Sequence, residues 1–247
     1  MSVICISRQL GTLGSLVAAN VARSLSYGYV DSQITGWISS RSGLPAEILR
    51  QWDERGPRTF VEKVSEHLAV AYGGADWGLY AAGGYHEVLS EIERQRRADY
   101  TYHTELPSLI EELGRTGFVV IVGRAAGFLL KGKVADLLHV RLAAGFEARV
   151  RVVRERMSVE DKEAREMLTK SDEQRRRFVR SICDADLEDP LAYDFIINTE
   201  WLSAEDATDV ILHAAKARGF AGTASSARGG GRERGARVEG GMENWPW

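Results

Sequence analysis

Several short runs of the chain are apolar without alternating. Val3-Ile4-Cys5-Ile6, Phe118-Val119-Val120-Ile121-Val122, Leu137-Leu138-His139-Val140-Arg141-Leu142 and Phe195-Ile196-Ile197-Asn198 each read as a strand, and Tyr29-Val30-Asp31 ends another. A strand with no polar face is covered on both sides, as in parallel sheets. Helical spacing fills the intervals: 16–26, then 45–72 (Val61, Val64, Leu68) and 86–114 (Leu106, Leu109, Ile110, Leu113). This alternation predicts an α/β fold with a parallel sheet between helical layers. Ligands of such sheets bind beyond the carboxyl ends of the strands, so the chemistry is sought in those loops.

Two further helices follow the Leu137 strand. Phe146, Val150, Val153 and Met157 form one stripe at 100° per residue, with Arg149 and Arg156 along one edge and Arg151 and Arg154 on the opposite flank or further out. The spacing of Ser158 to Asp161 resembles a capping box and predicts a helix start at Ser158. Its stripe runs Ala164, Leu168, Phe178, Val179, Ile182, with Arg175 on it and Asp172 at its edge; Arg176, Arg177 and Arg180 point outward. An inward guanidinium needs an opposite charge, and either a phosphate or Asp172 would serve Arg175.

Composition changes this picture at one place. Of 247 residues, 44% are apolar, ample for a core. From Gly219 onward 8 of 29 residues are Gly and the apolar period is lost, which predicts a disordered tail over 219–247 after a domain over 1–218. The tail's Arg and Gly could touch RNA, and Trp245-Pro246-Trp247 could dock a protein partner. Two cysteines, without disulfide or zinc spacing, suit a reducing compartment, and Cys5 is expected to be a core thiol. There is no basic leader and no apolar run of membrane length, so a cytoplasmic protein without membrane attachment is expected.

Net charge localises the ligand. The total of −3 divides into +4 over 149–180, +1 in the tail and −8 elsewhere. A basic island in an acidic body suits a small anion better than a nucleic acid. Two turns could complete such a site. The first, Ser7-Arg8-Gln9-Leu10-Gly11-Thr12-Leu13-Gly14-Ser15, leads from the first strand into a helix, where free N–H groups and the dipole favour phosphate; an ordinary strand–turn–helix junction has the same form. A full P-loop carries a lysine, and this chain has none before Lys63. The second turn, Gly123-Arg124-Ala125-Ala126-Gly127, sets Arg124 at the sheet edge, facing a phosphate or a nearby acid. The five histidines (67, 86, 103, 139, 213) lack ligand spacing, and no metal site is expected.

These residues resemble the cytidylate kinase-like family. The likeness runs through Ile4–Gly14 (family I-S-R-[QE]-Y-G-S-G-G-R), Val119–Ala126 (VIVGRGA), His139-Val140-Arg141-Leu142, Lys170-Ser171-Asp172 with Arg175, and Asp189–Thr199, in family order from residue 3 to about 216. It implies a P-loop kinase fold: a five-stranded parallel sheet with helices on both faces, a helical insertion over about 32–115 and an Arg-rich lid over about 147–182. By that resemblance Gly11, Thr12, Gly14 and Ser15 hold donor phosphates, Arg124 the acceptor phosphate, and Arg149 and Arg175 clamp the transferring group. Arg8 is the turn's one cation and could stand in for the lysine, whose place falls at Gly14. Leu13 replaces a family glycine, Ser15 an arginine, and Leu16 stands where a magnesium-binding hydroxyl is expected. Asp31 could touch the acceptor or cap the next helix.

The expected function is transfer of the γ-phosphoryl of ATP, with Mg2+ carried by the nucleotide, to CMP, dCMP or a similar small phosphate acceptor. The alternative is a silent nucleotide-binding or regulatory module that kept the fold. Six tryptophans leave room for an aromatic contact surface, but the pattern sets no oligomeric state.

Overall fold

The computed structural model describes residues 1–53 and 84–220. Five strands, β1 (Ser2–Arg8), β2 (Gly28–Val30), β3 (Val119–Val122), β4 (Asp136–Ala143) and β5 (Phe195–Asn198), form one sheet in the order β2-β3-β1-β4-β5. Every pairing is parallel. The helices are α1 (Gly14–Leu25), α2 (Gln33–Ser42), α3 (Ala46–Leu49), α4 (Gly84–Thr116), α5 (Ala126–Leu130), α6 (Phe146–Met157), α7 (Asp161–Cys183) and α8 (Ala204–Ala217), with a 3-10 turn at Pro190–Ala192. This five-stranded parallel sheet between helical layers is the architecture that the family resemblance implies.

The unalternating strands are explained by two apolar layers. Ile4, Ile6, Val120, Val122, Leu138, Val140 and Leu142 face α1 and α8, where Val17, Val21, Ala207 and Ile211 meet them. Val3, Cys5, Val119, Ile121 and Leu137 face the other way, onto Ile34, Ile38, Tyr102, Leu106, Ile110 and Phe178 of α2, α4 and α7. Burial pushes the Cys5 thiol up in pKa, as expected for a core cysteine. Among the tryptophans, Trp37 and Trp52 pack against this layer and Trp201 is exposed.

Three local expectations need correction. First, α1 begins at Gly14, two residues early, because Leu13 in the left-handed region already closes the entering turn. Second, the capping box at Ser158 does not form. Ser158 adopts φ 54°, ψ 41° and ends α6, and α7 is entered through Glu160 without a side-chain cap. The tight reversal between the helices requires a left-handed residue, whereas a capping side chain works from extended backbone. Third, Met157 ends its stripe 41% exposed. A capping box does form at α8, between Ser203 and Asp206.

Beyond α8, Gly219 turns with φ +76° and Phe220 packs into the core, so the folded part extends two residues past Arg218. The apolar positions Val61, Val64 and Leu68, and the tail from 221, lie outside the described residues.

Candidate functional site

Because β1 lies between β3 and β4, the turns after these three strands share one edge of the sheet. The β1 turn is built for close approach. Gly11 takes φ +86° and Leu13 φ 56°, ψ 22°. Thus Leu13 holds the conformation that the family's glycine would take freely, at a cost of roughly 1–2 kcal/mol. No side chain caps α1 and no acid lies in its first turn, so its positive dipole end is uncompensated from within the helix.

Neighbours hold this turn in place. Gln9 N donates to Leu142 O at 3.1 Å, and Gln9 Oε1 accepts from Ala144 N at 3.1 Å. Thr12 Oγ1 donates to Gln9 O at 2.8 Å, so its buried hydroxyl serves the turn itself. A Cβ on Gly11 would sit 3.0 Å from Arg149 Cβ, which shows how closely the first turn of α6 approaches. A Cβ on Gly14 would sit 2.7 Å from Arg8 Cβ: the missing lysine leaves room that the stem of Arg8 fills.

The guanidinium of Arg8 points towards β2. Its Nη2 donates to Asp31 Oδ1 at 3.2 Å, and Arg124 Nη1 donates to the same oxygen at 2.8 Å. Ser15 Oγ and Tyr29 OH reach Asp31 Oδ2 at 3.2 and 3.3 Å. Burial, and next the Asp31 charge, push Tyr29 up to about 12. Asp31 therefore does not cap α2; Ser32 holds the cap position, while Asp31 balances two buried cations that would be costly alone.

Arg124 is 1% exposed. It follows β3 in a run of three left-handed residues, Gly123 (φ 70°), Arg124 (φ 53°) and Ala125 (φ 55°), a strained turn that aims the side chain back along the sheet edge. Its Nη2 donates to Asp53 Oδ2 at 2.7 Å. Asp53 also accepts from Tyr102 OH at 3.2 Å and Thr35 Oγ1 at 3.5 Å.

Between α6 and α7, Arg149 forks Asp172 at 3.0 and 2.8 Å and donates from Nε to Ala144 O at 3.2 Å. The expected rivalry for Arg175 resolves differently: Asp172 serves Arg149, and Arg175 Nη1 donates to Ser171 Oγ at 2.6 Å, one helical turn back. Both arginines are buried, whereas Arg176, Arg177 and Arg180 are exposed. The structure thus brings Arg8, Asp31, Arg124, Ser15, Gly11, Gly14 and Arg149 to one sheet edge. Arg175 stands on α7, three residues beyond the Asp172 that Arg149 holds.

Sequence reasoning missed Gln9, Asp53 and Tyr102. Asp53 had a weak signal: two inward arginines near one Asp31 imply a second buried acid, but nothing local says which. His139 and Arg141 form an adjoining buried layer. Arg141 holds Tyr193 OH at 3.0 Å, Glu188 Oε1 at 2.7 Å and the Leu187 carbonyl, tying the segment after α7 to β4. Burial is the main cause that pushes His139 down to about 4.

The profile of the cytidylate kinase-like family matches residues 3–201. The chain belongs to the cytidylate kinase-like family. A curated relative, the cytidylate kinase of Pyrobaculum islandicum, is 22% identical over 213 residues, covering 86% of this chain and 91% of its own. The crystal structure of an uncharacterized protein from Eubacterium ventriosum superposes with a TM-score of 0.55 at 18% identity, covering 87% of this chain and 99% of that one. That likeness shows the fold. Among the described residues, no helix is long and apolar enough to cross a membrane.

Proposed function

We propose that the protein transfers the γ-phosphoryl group of ATP to CMP, dCMP or a similar small acceptor that already carries a phosphate. The observation that carries this reading is the convergence of an uncapped helix N-terminus, Arg8, Arg124 and Arg149 on one sheet edge, in a fold and family of nucleotide kinase type. Phosphoryl transfer asks mainly for positioning and for donors matched to charge on the transferring oxygens.

In this reading the turn Gly11–Ser15 and the α1 N–H groups receive the donor phosphates. Arg124 receives the acceptor phosphate, and Arg149 and Arg175 neutralise the group in flight. An oxygen of the acceptor phosphate bonds to the γ-phosphorus as the bond to the β–γ bridging oxygen breaks, and ADP leaves. Ser15 Oγ and Asp31 suit magnesium by donor type, but Arg8 and Arg124 already hold Asp31, and their charge opposes a cation there. Among the described residues the fit to the metal is poor, so Mg2+ is assigned to the nucleotide. We place the protein in the cytoplasm.

A second reading, a silent nucleotide-binding module, is favoured by one set of observations. Gly14 replaces the lysine, Leu16 is 44% exposed where a hydroxyl is expected, and Arg8, Arg124 and Arg149 each hold a carboxylate. Thermal shift with ATP, CMP, dCMP and UMP in magnesium, followed by coupled ADP release, separates the two. Stabilisation with ADP release for one acceptor supports the kinase. Stabilisation without release for any acceptor supports the module, and no stabilisation refutes both.

A further inference from the structure

We propose that Gln9 is a positioning residue for Arg149: through Ala144 it sets the first turn of α6, and the guanidinium carried there, against the β1 turn. The proposal rests on the kinase reading above, in which Arg149 neutralises the transferring group. Its ground is the way the β1–β4 ladder ends. Arg8 pairs with Leu142, and Gln9 N donates to Leu142 O at 3.1 Å. The next rung of a parallel ladder would run from Ala144 N to Gln9 O. That carbonyl instead accepts from Thr12 Oγ1 at 2.8 Å, inside the turn. The Gln9 side chain takes the rung over, its Oε1 accepting from Ala144 N at 3.1 Å. One residue thus closes the β1 turn with its carbonyl and holds the entry to α6 with its amide oxygen.

Ala144 passes this on to Arg149. Its carbonyl accepts from Arg149 Nε at 3.2 Å, while Nη1 and Nη2 reach Asp172 at 3.0 and 2.8 Å. A planar guanidinium anchored through all three nitrogens is oriented by where Ala144 and Asp172 stand. Asp172 belongs to α7, so Ala144 is the anchor on the sheet side. The helix has no side-chain cap of its own to fix its start: the cap position is Gly145, whose N donates to Glu200 Oε2 at 3.2 Å. The link between β4 and α6 is therefore held from the β1 turn on one side and from the segment after β5 on the other. Packing sets the two turns side by side. Leu10 packs against the cluster of Val150, Val153, Ala164 and Leu168, and a Cβ on Gly11 would also stand 3.1 Å from Arg149 Cα. The Gln9 rung then sets how far Ala144, and with it the Nε anchor, stands from the turn.

The test compares the full chain as wild type, Gln9→Met, Gln9→Glu, Arg149→Met and the double variant with both methionines, by ADP release from ATP and magnesium with CMP, dCMP or UMP. Met keeps the length of the side chain and removes its acceptor, and Ala144 is only half-buried, so water can reach its N–H. In Gln9→Met, kcat should fall roughly 10- to 100-fold, the upper end being what a misplacement of about 1 Å costs, with KM changed less than about threefold. Glu keeps the acceptor oxygen, so its kcat should return to within about threefold of wild type. In the Arg149→Met background, Gln9→Met should change kcat less than about twofold, because the side chain it acts through is already gone. An unchanged kcat in Gln9→Met, a Gln9→Glu that fails to restore it, or the full loss repeated on top of Arg149→Met each overturns the proposal. A readout without turnover separates it from the kinase reading. The Arg149 Nε–H resonance, assigned as the one missing from Arg149→Met, should exchange with water roughly threefold faster in Gln9→Met and at the wild-type rate in Gln9→Glu. If the wild type releases no ADP with any acceptor, the kinase reading fails and this resonance decides the positioning: an unchanged exchange rate in Gln9→Met overturns it. If Gln9→Met fails to fold, Gln9→Asn, one methylene short of Ala144, takes its place under the same criteria.

Discussion

His139 should make the fold sensitive to mild acid. Its ring is 3% exposed, between Phe128 and Tyr193 at centroid distances of 5.2 and 4.6 Å. Ala192 O, a carbonyl, can only accept at 3.1 Å, so Nδ1 carries the proton and Nε2 faces Ser7 Oγ at 3.0 Å. Burial, opposed by the Ala192 bond and Asp194 and assisted by Lys131 and Arg141, lowers the ring from 6.5 to about 4. Between those values the unfolded chain binds the extra proton and the folded one does not. Stability present above pH 6.5 is therefore lost as pH falls towards 4. The loss amounts to about 2 kcal/mol at pH 5 and about 3 kcal/mol below pH 4. For a domain of this size the pH 5 value lowers Tm by roughly 4–8 °C. Urea melts of wild type and His139→Asn between pH 7.5 and 4.5 measure it. Asn keeps an N–H donor and cannot be protonated, so the variant starts less stable and loses about 2 kcal/mol less than wild type on going to pH 5. Parallel curves for the two proteins would refute the reasoning.

Two other perturbations probe the site. Leu13→Gly should raise stability by about 1 kcal/mol by relieving the left-handed backbone, offset in part by the greater freedom of glycine when unfolded; a lower Tm would show that the Leu13 side chain contributes more than its strain costs. Arg149→Met, assayed by ADP release under the kinase reading, should lower kcat roughly 100- to 1000-fold with a smaller change in KM; an unchanged kcat would confine Arg149 to its ion pair with Asp172.

How much was legible in the chain follows from the range of each signal. Strands and core helices were readable because burial on both faces leaves a local mark, in runs such as Val119–Val122 and in the stripe through Leu106 and Ile110. Arg8, Arg124, Arg149 and Arg175 were readable as candidates, because an arginine at a strand end or on an apolar stripe needs a partner wherever the fold places it. Local chemistry failed where two conformations compete for one residue. Ser158 has the side chain of an N-cap but sits where the backbone must reverse, and the reversal prevails.

The sequence by itself determined the fold class, the family likeness, the loops that carry the chemistry and the set of inward arginines. Only the tertiary structure decided their partners: Asp31 shared by Arg8 and Arg124, Asp53 on Arg124, and Asp172 on Arg149 rather than Arg175. The physical reason is that a buried charge must be neutralised, but Coulomb attraction names no sequence position. Arg124 and Asp53 are 71 residues apart and Arg8 and Asp31 are 23 apart, and only closure of the sheet brings them together.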